Sequence, residues 1–263
     1  MMNSTHGPSG SLAGLIVVTG TQTAGWTPDT PVSLAFVAAA TAGALLPDLD
    51  HHSSSPARVW GPITSIPCGW LGRAAGGHRE GTHDISRGAP LLFALVFGAA
   101  LITPLITVGP HWADVATQLA GMTAVALITG LVLVALAELL PGRWQTEPVL
   151  NFAASWLVAT AVHHAHPGVL PWPVIAAATA GIALGVLTGI AGDGCTISGI
   201  PWRRRRPVPA GAPARQVDRW GRDNVHLLPA GWRIRTGSAV EVRLVRVPIL
   251  VGIVLASVHL LVS

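Results

Sequence analysis

Asp48, Asp50 and His51 stand together in the string Leu46-Pro47-Asp48-Leu49-Asp50-His51, which closes an apolar run that begins at Pro31. Carboxylates and imidazoles are the ligands that divalent cations such as Zn²⁺ and Mn²⁺ take. Two carboxylates this close repel unless a cation or an arginine neutralises them. In an extended or turn segment, positions i and i+2 point the same way, so Asp48 and Asp50 are expected to face one ion. A second cluster, Gly77-His78-Arg79-Glu80-Gly81-Thr82-His83, precedes the next long apolar run. On one helix, His78 and His83 would point roughly 140° apart and could not share a face. The spacing therefore puts His78 in a loop, with Thr82 capping a helix whose first turn carries His83. Arg79 between them suits a phosphate or a carboxylate. The plainer reading of both clusters is a polar loop that stops a membrane helix, with Pro47 as the breaker.

Asp193 ends another apolar run, Leu170 to Gly192, inside Gly192-Asp193-Gly194-Cys195-Thr196. An acid at a span end is often an interface residue, but the glycines around it permit close backbone approach. His163, His164 and His166 look like a metal tract, yet they fall at the opposite ends of the spans and read as interfacial polar residues. Arg203 to Arg206 reads as an anchor near anionic lipid, and a charge run alone does not make a specific nucleic-acid site. Cys68 and Cys195 are the two cysteines and read as free thiols.

The elements that must position these groups are membrane helices. Half of the 263 residues are hydrophobic and 11% are charged, against about 25% charged in soluble domains. Long uncharged runs cover 89–109, 119–140, 149–162 and 170–192. The runs Ser11 to Gly25 and Val32 to Leu46 are shorter than a full span and read as a hairpin that crosses or dips into the bilayer. All sixteen basic residues are Arg, and all lie in the segments 47–88, 141–148 and 194–246. Four spans separate the first and last of these segments, so they share one side, and the positive-inside rule makes it cytoplasmic. Asp48, Asp50, His51, His78, His83 and Asp193 then lie on the same face. Seven of the ten Trp fall near span ends, as an interfacial belt would.

With these pieces placed, the chain resembles the membrane-bound, metal-dependent hydrolase family typified by the LexA-regulated inner-membrane YdjM-like proteins. The motifs that carry the resemblance are Thr5-His6, Leu46-Pro47-Asp48-Leu49-Asp50-His51, Gly77-His78-Arg79-x-x-Thr82-His83, and Asp193-x-x-Thr196-x-x-Gly199 with Ile200-Pro201-Trp202. Leu228-Pro229, Trp232 to Ser238 and Glu241 match its C-terminal segment. Two positions depart from the family pattern: Gly189 stands where the family has His, and Asp84 where it commonly has Ser. The resemblance implies a divalent metal, Zn²⁺ or Mn²⁺, held by His6, Asp48, Asp50, His51, His78, His83 and Asp193. It implies a hydrolase, and a distant likeness to zinc phospholipases points to a phosphoester. Arg79 would stabilise developing negative charge, and Thr82 and Thr196 would hold the ligands in place.

The expected architecture is thus all-α: a polytopic α-helical membrane protein with metal-site loops at the cytoplasmic interface of the inner (plasma) membrane. Residues 1–193 form the membrane domain with the loop 47–88, 194–246 an Arg/Pro-rich cytoplasmic segment, and 247–263 a closing membrane helix. The expected partners are membrane lipids and a substrate the sequence does not identify, with no specific nucleic acid. The rivals are a protein whose metal is only structural and a membrane-anchored regulatory binder. A transporter is disfavoured because the spans carry no ionisable residue except near their ends.

Overall fold

The computed structural model describes residues 3–75, 81–85, 88–103, 111–139, 147–167, 170–201 and 224–262. Its helices are α1 (Asn3–Thr23), α2 (Thr30–Leu45), α3 (Pro62–Ala75), α4 (Ala89–Ile102), α5 (His111–Ala137), α6 (Pro148–Ala165), α7 (Trp172–Gly194) and α8 (Val247–Val262). Among the described residues the fold is all-helical apart from one antiparallel pair of two-residue strands, Ile200–Pro201 with Asn224–Val225. Helices α2, α3, α4, α6 and α7 have proline in their first two positions. Proline is at home there, because the first helical N–H groups have no partner inside the helix.

Among the described residues, three segments are long and apolar enough to cross a membrane: Thr30–Asp50, Ala113–Ala137 and Trp172–Gly194. This is consistent with a membrane protein. The first is longer than the sequence led us to expect, because α2 runs on into a 3-10 turn, Leu46–Asp50, with Pro47 near its start. The expected span 89–109 is described only as far as Thr103, and its helix α4 is a short apolar one of 14 residues. The chain also enters α1 earlier than expected. His6 lies inside that helix rather than before it, and Pro8 is accommodated near the helix start. A proline there interrupts one backbone bond without ending the helix.

Small residues decide how the helices pack. The most extensive helix–helix contact among the described residues is α2 against α7. Gly181, Gly185 and Gly189 recur every four residues on α7 and press on the backbone of α2. In return, a Cβ on Gly43 would stand 2.6 Å from the Ile182 carbonyl oxygen. Such small-xxx-small surfaces let membrane helices approach closely and gain van der Waals contact where no hydrophobic drive exists. The last stretch of α2, Ala39 to Leu45, is buried on every side, and all but Leu45 of these residues are small. Larger apolar side chains point outward: Leu91, Leu95, Leu150, Leu157 and Leu255 are each more than half exposed. A soluble monomer rarely shows so much apolar surface, and lipid is its natural cover.

The segment after α7 folds back on the end of that helix. Leu227 donates its N–H to the Gly194 carbonyl at 2.8 Å, and Ile234 donates to the Cys195 carbonyl at 3.0 Å. Ser238 then caps the last helical stretch, in a variant of the capping box shifted by one residue. Its hydroxyl accepts the Glu241 N–H at 3.3 Å, and Glu241 Oε2 accepts the Gly237 N–H at 2.7 Å. A π-helical turn, Glu241–Arg246, leads into α8. Arg246 reaches across to the end of α5, donating to the Glu138 carbonyl at 2.7 Å. Cys68 and Cys195 are both free.

Candidate metal centre

One end of the bundle gathers the start of α1, the turn that ends α2 and the last residues of α7. Each delivers one buried ligand: His6, Asp48 and Asp193. These three offer ligand atoms that all lie within 4.8 Å of one another, so the group can hold a metal ion. His6 Nε2 is 3.5 Å from Asp193 Oδ1 and 3.9 Å from Asp48 Oδ2. These are ion-pair distances, too long for hydrogen bonds. Both ring nitrogens of His6 lack a hydrogen-bond partner, although the residue is 2% exposed. Leaving such groups buried and unsatisfied is costly. Ligands spaced around one cation at about 2 Å would stand apart from each other in just this way. The C-terminal ends of α2 and α7 add the negative ends of two helix dipoles, which favour a cation.

His83 closes the group from the side. Its Nε2 is 3.0 Å from Asp193 Oδ2 and 3.5 Å from Asp48 Oδ1. Burial alone would push the His83 imidazole down. The Asp193 and Asp48 carboxylates outweigh burial and raise its pKa from 6.5 to about 9. In the metal-free chain a proton on His83 therefore supplies part of the positive charge that the carboxylates demand.

Asp50 stands behind His83 instead of beside Asp48. Its Oδ2 is 3.8 Å from His83 Nδ1 and accepts the Thr82 hydroxyl at 2.6 Å. Thr82 Oγ1 is also 3.2 Å from His83 Nδ1. The expectation that both carboxylates face one ion presumed an extended segment. The 3-10 turn has about three residues per turn, so positions i and i+2 diverge by roughly 120°. Thr82 and His83 likewise lie in a turn rather than at a helix start. The helix begins later, after Gly88, whose φ of 73° suits a residue without a Cβ, and with Pro90 in its first turn.

The other expected residues are placed as follows. His51 is exposed and does not join the buried group. Its Nδ1 is 2.8 Å from Ser53 Oγ and its ring stacks on His52. Thr196 is fully buried and donates to the Asp193 carbonyl at 2.7 Å, which fixes the end of α7 that carries Asp193. His78 and Arg79 lie outside the described residues. Gly189, where the family pattern has His, packs on Ala44, with no room for a side chain.

Glu138, at the end of α5, is a further charged neighbour of the group. A Cβ on Gly7 would stand 2.5 Å from the Ala135 Cβ, so α1 and α5 are in tight contact one turn before Glu138. Its Oε2 is buried with no hydrogen-bond partner. Burial pushes the carboxyl up against a hydrogen bond from Ser55, and the Asp48 charge pushes the same way. The available signal was its place at the end of an even-numbered span, on the same side as the two motifs.

Comparison of the chain with family models, with curated proteins and with solved structures finds no match in any of the three.

Proposed function

We propose that the chain is a membrane-bound, metal-dependent hydrolase acting on a phosphoester, as its resemblance to the YdjM-like family implies. One observation carries the reading: His6, Asp48 and Asp193 converge from three separate helices into a buried group, and both His6 ring nitrogens lack a hydrogen-bond partner. Mixed nitrogen and oxygen donors suit Zn²⁺ or Mn²⁺. Such an ion supplies a Lewis acid and lowers the pKa of water bound to it. His6, Asp48 and Asp193 hold the ion. His83 balances the charge of Asp48 and Asp193, and Asp50 with Thr82 orients His83. Arg79, from the sequence, stabilises negative charge that develops on the substrate. The distribution of Arg supports placing this end of the bundle at the cytoplasmic face of the plasma membrane.

The depth of the group favours one alternative, a closed structural metal with no position for water, since Asp193 is 1% exposed. Metal content decides first. The detergent-purified protein is measured by elemental mass spectrometry beside an Asp48→Ala/Asp50→Ala double variant. Near-stoichiometric metal that the variant loses supports the centre. No metal in either protein, after reloading with Zn²⁺ and Mn²⁺, removes the hydrolase reading. A water proton relaxation measurement on the Mn²⁺ form then separates an open centre from a closed one.

A further inference from the structure

A cleft opens beside the metal group, between the 3-10 turn Leu46–Asp50 and α3. Its volume is about 830 Å³, and Asp50, His52, Ile66, Trp70, Gly72 and Arg73 are among its walls. That is the size of a small-molecule site rather than of a bare inorganic ion. α3 is held against the turn because Gly72 lies on the Asp50 backbone carbonyl, where a Cβ would clash.

The two sides of α3 differ. Ile63, Ile66 and Trp70 recur at i, i+3 and i+7 and are all more than half exposed. An amphipathic helix with such a stripe lies in the membrane interface, with its apolar face among acyl chains and its Trp at headgroup depth. Ile66 and Trp70 belong to the exposed apolar stripe and also line the cleft. The cleft is therefore continuous with the lipid-facing side of the helix. Arg73 stands at its polar end, exposed, with no hydrogen bond or ion pair to another described residue. The Asp50 carboxylate on the floor is turned to Thr82 and His83. His52 adds an imidazole to the rim.

We propose that this cleft is a lipid site. It takes the phosphate-bearing headgroup of an anionic lipid onto Arg73 and His52, with the acyl chains along Ile63, Ile66 and Trp70. A guanidinium is the side chain best suited to phosphate oxygens, and the apolar stripe offers the chains a path that stays in the bilayer. The idea that such a lipid is the substrate rests on the hydrolase reading above. The binding itself does not, because Arg73 and the stripe of α3 lie outside the metal group.

The test uses the full-length protein in detergent and native mass spectrometry. Titrants are dioctanoyl phosphatidic acid, dioctanoylglycerol and inorganic phosphate. The expected result is one saturable phosphatidic acid per chain, with dioctanoylglycerol and phosphate each at least roughly tenfold weaker. Arg73→Gln and, separately, Ile66→Ser/Trp70→Ser each weaken the phosphatidic acid by roughly tenfold or more. All three positions are exposed, and thermal melting verifies that the variants fold. Wild-type affinity in folded Arg73→Gln and Ile66→Ser/Trp70→Ser proteins would overturn the proposal. Equal binding of dioctanoylglycerol would remove the headgroup role, and equal binding of phosphate would remove the lipid. The same titration of Asp193→Asn, whose metal group is broken, separates the two readings. Retained lipid binding with no metal leaves the cleft standing even if the hydrolase reading falls.

Discussion

Gly189 of α7 lies so close to Ala44 of α2 that a Cβ on the glycine would stand 2.5 Å from the Ala44 carbonyl oxygen. The family pattern that the chain resembles has His at this position. In this chain the position serves helix packing, together with Gly181 and Gly185 on the same face. Asp193, one of the three residues of the buried group that can hold an ion, lies one turn further on. Gly189→His should therefore separate α2 from α7 rather than add a ligand. Overpacking of this kind costs about 2 kcal/mol or more. The expected outcome is a lower melting temperature in detergent with no gain in metal per chain. A variant that melts like the wild type and binds additional metal would show that the position still faces the centre.

Thr82 tests the support of the centre without touching its ligands. Its hydroxyl donates to Asp50 at 2.6 Å and sits 3.2 Å from His83. Thr82→Val keeps the shape and removes the donor. Residues that hold ligands from behind change metal affinity by about 10- to 100-fold when replaced. Competition with a chelator of known affinity measures this directly. Affinity within a factor of about two of wild type would mean that Asp50 and Thr82 only fill space.

Much of the centre could be read from residue types, but its layering could not. The two motif clusters and Asp193 are conspicuous because acids and imidazoles are rare in a chain this apolar. Their placement on one face follows from the alternation of apolar runs with Arg-bearing segments. The spacing of Asp48 and Asp50 gives both carboxylates one direction only in an extended segment, and nothing in Leu46-Pro47-Asp48-Leu49-Asp50 announces a 3-10 turn. Glu138 is not legible as part of the site because an acid at a span end has a simpler explanation, and its burial depends on how α1 meets α5 at Gly7 and Ala135. The glycine ladder of α7 was visible as composition, yet its partner on α2 was not.

Asn151 supplies a control remote from the centre. It donates to the Gly130 carbonyl at 3.1 Å and ties α6 to α5, next to the Trp60 indole that donates to Ser155 at 3.1 Å. Interhelical hydrogen bonds of this type average about 0.6 kcal/mol and reach about 1.7. Asn151→Val should lower the melting temperature by a few degrees and leave metal content unchanged. Loss of metal in this variant would show that the α5–α6 contact and the centre unfold as one unit, and would weaken every inference drawn from metal loss in other variants.

The pH dependence of the metal-free protein follows from His83. Its pKa rises from 6.5 to about 9 in the folded chain, where Asp193 and Asp48 flank it. The folded chain thus holds this proton more tightly than the unfolded one. The resulting stabilisation is complete below pH 6.5, fades as pH rises through about 9, and amounts to at most about 3 kcal/mol. With chelator present, melting temperature should fall steadily from pH 6.5 to 9.5. A bound cation and this proton compete for the same carboxylates, so metal affinity should rise over the same interval. Excess Zn²⁺ should then flatten or reverse the fall. His83→Gln removes the proton and should make the chelated protein insensitive to pH in this window. A steady fall that persists in His83→Gln would assign the effect to another group and leave His83 uncoupled from the centre.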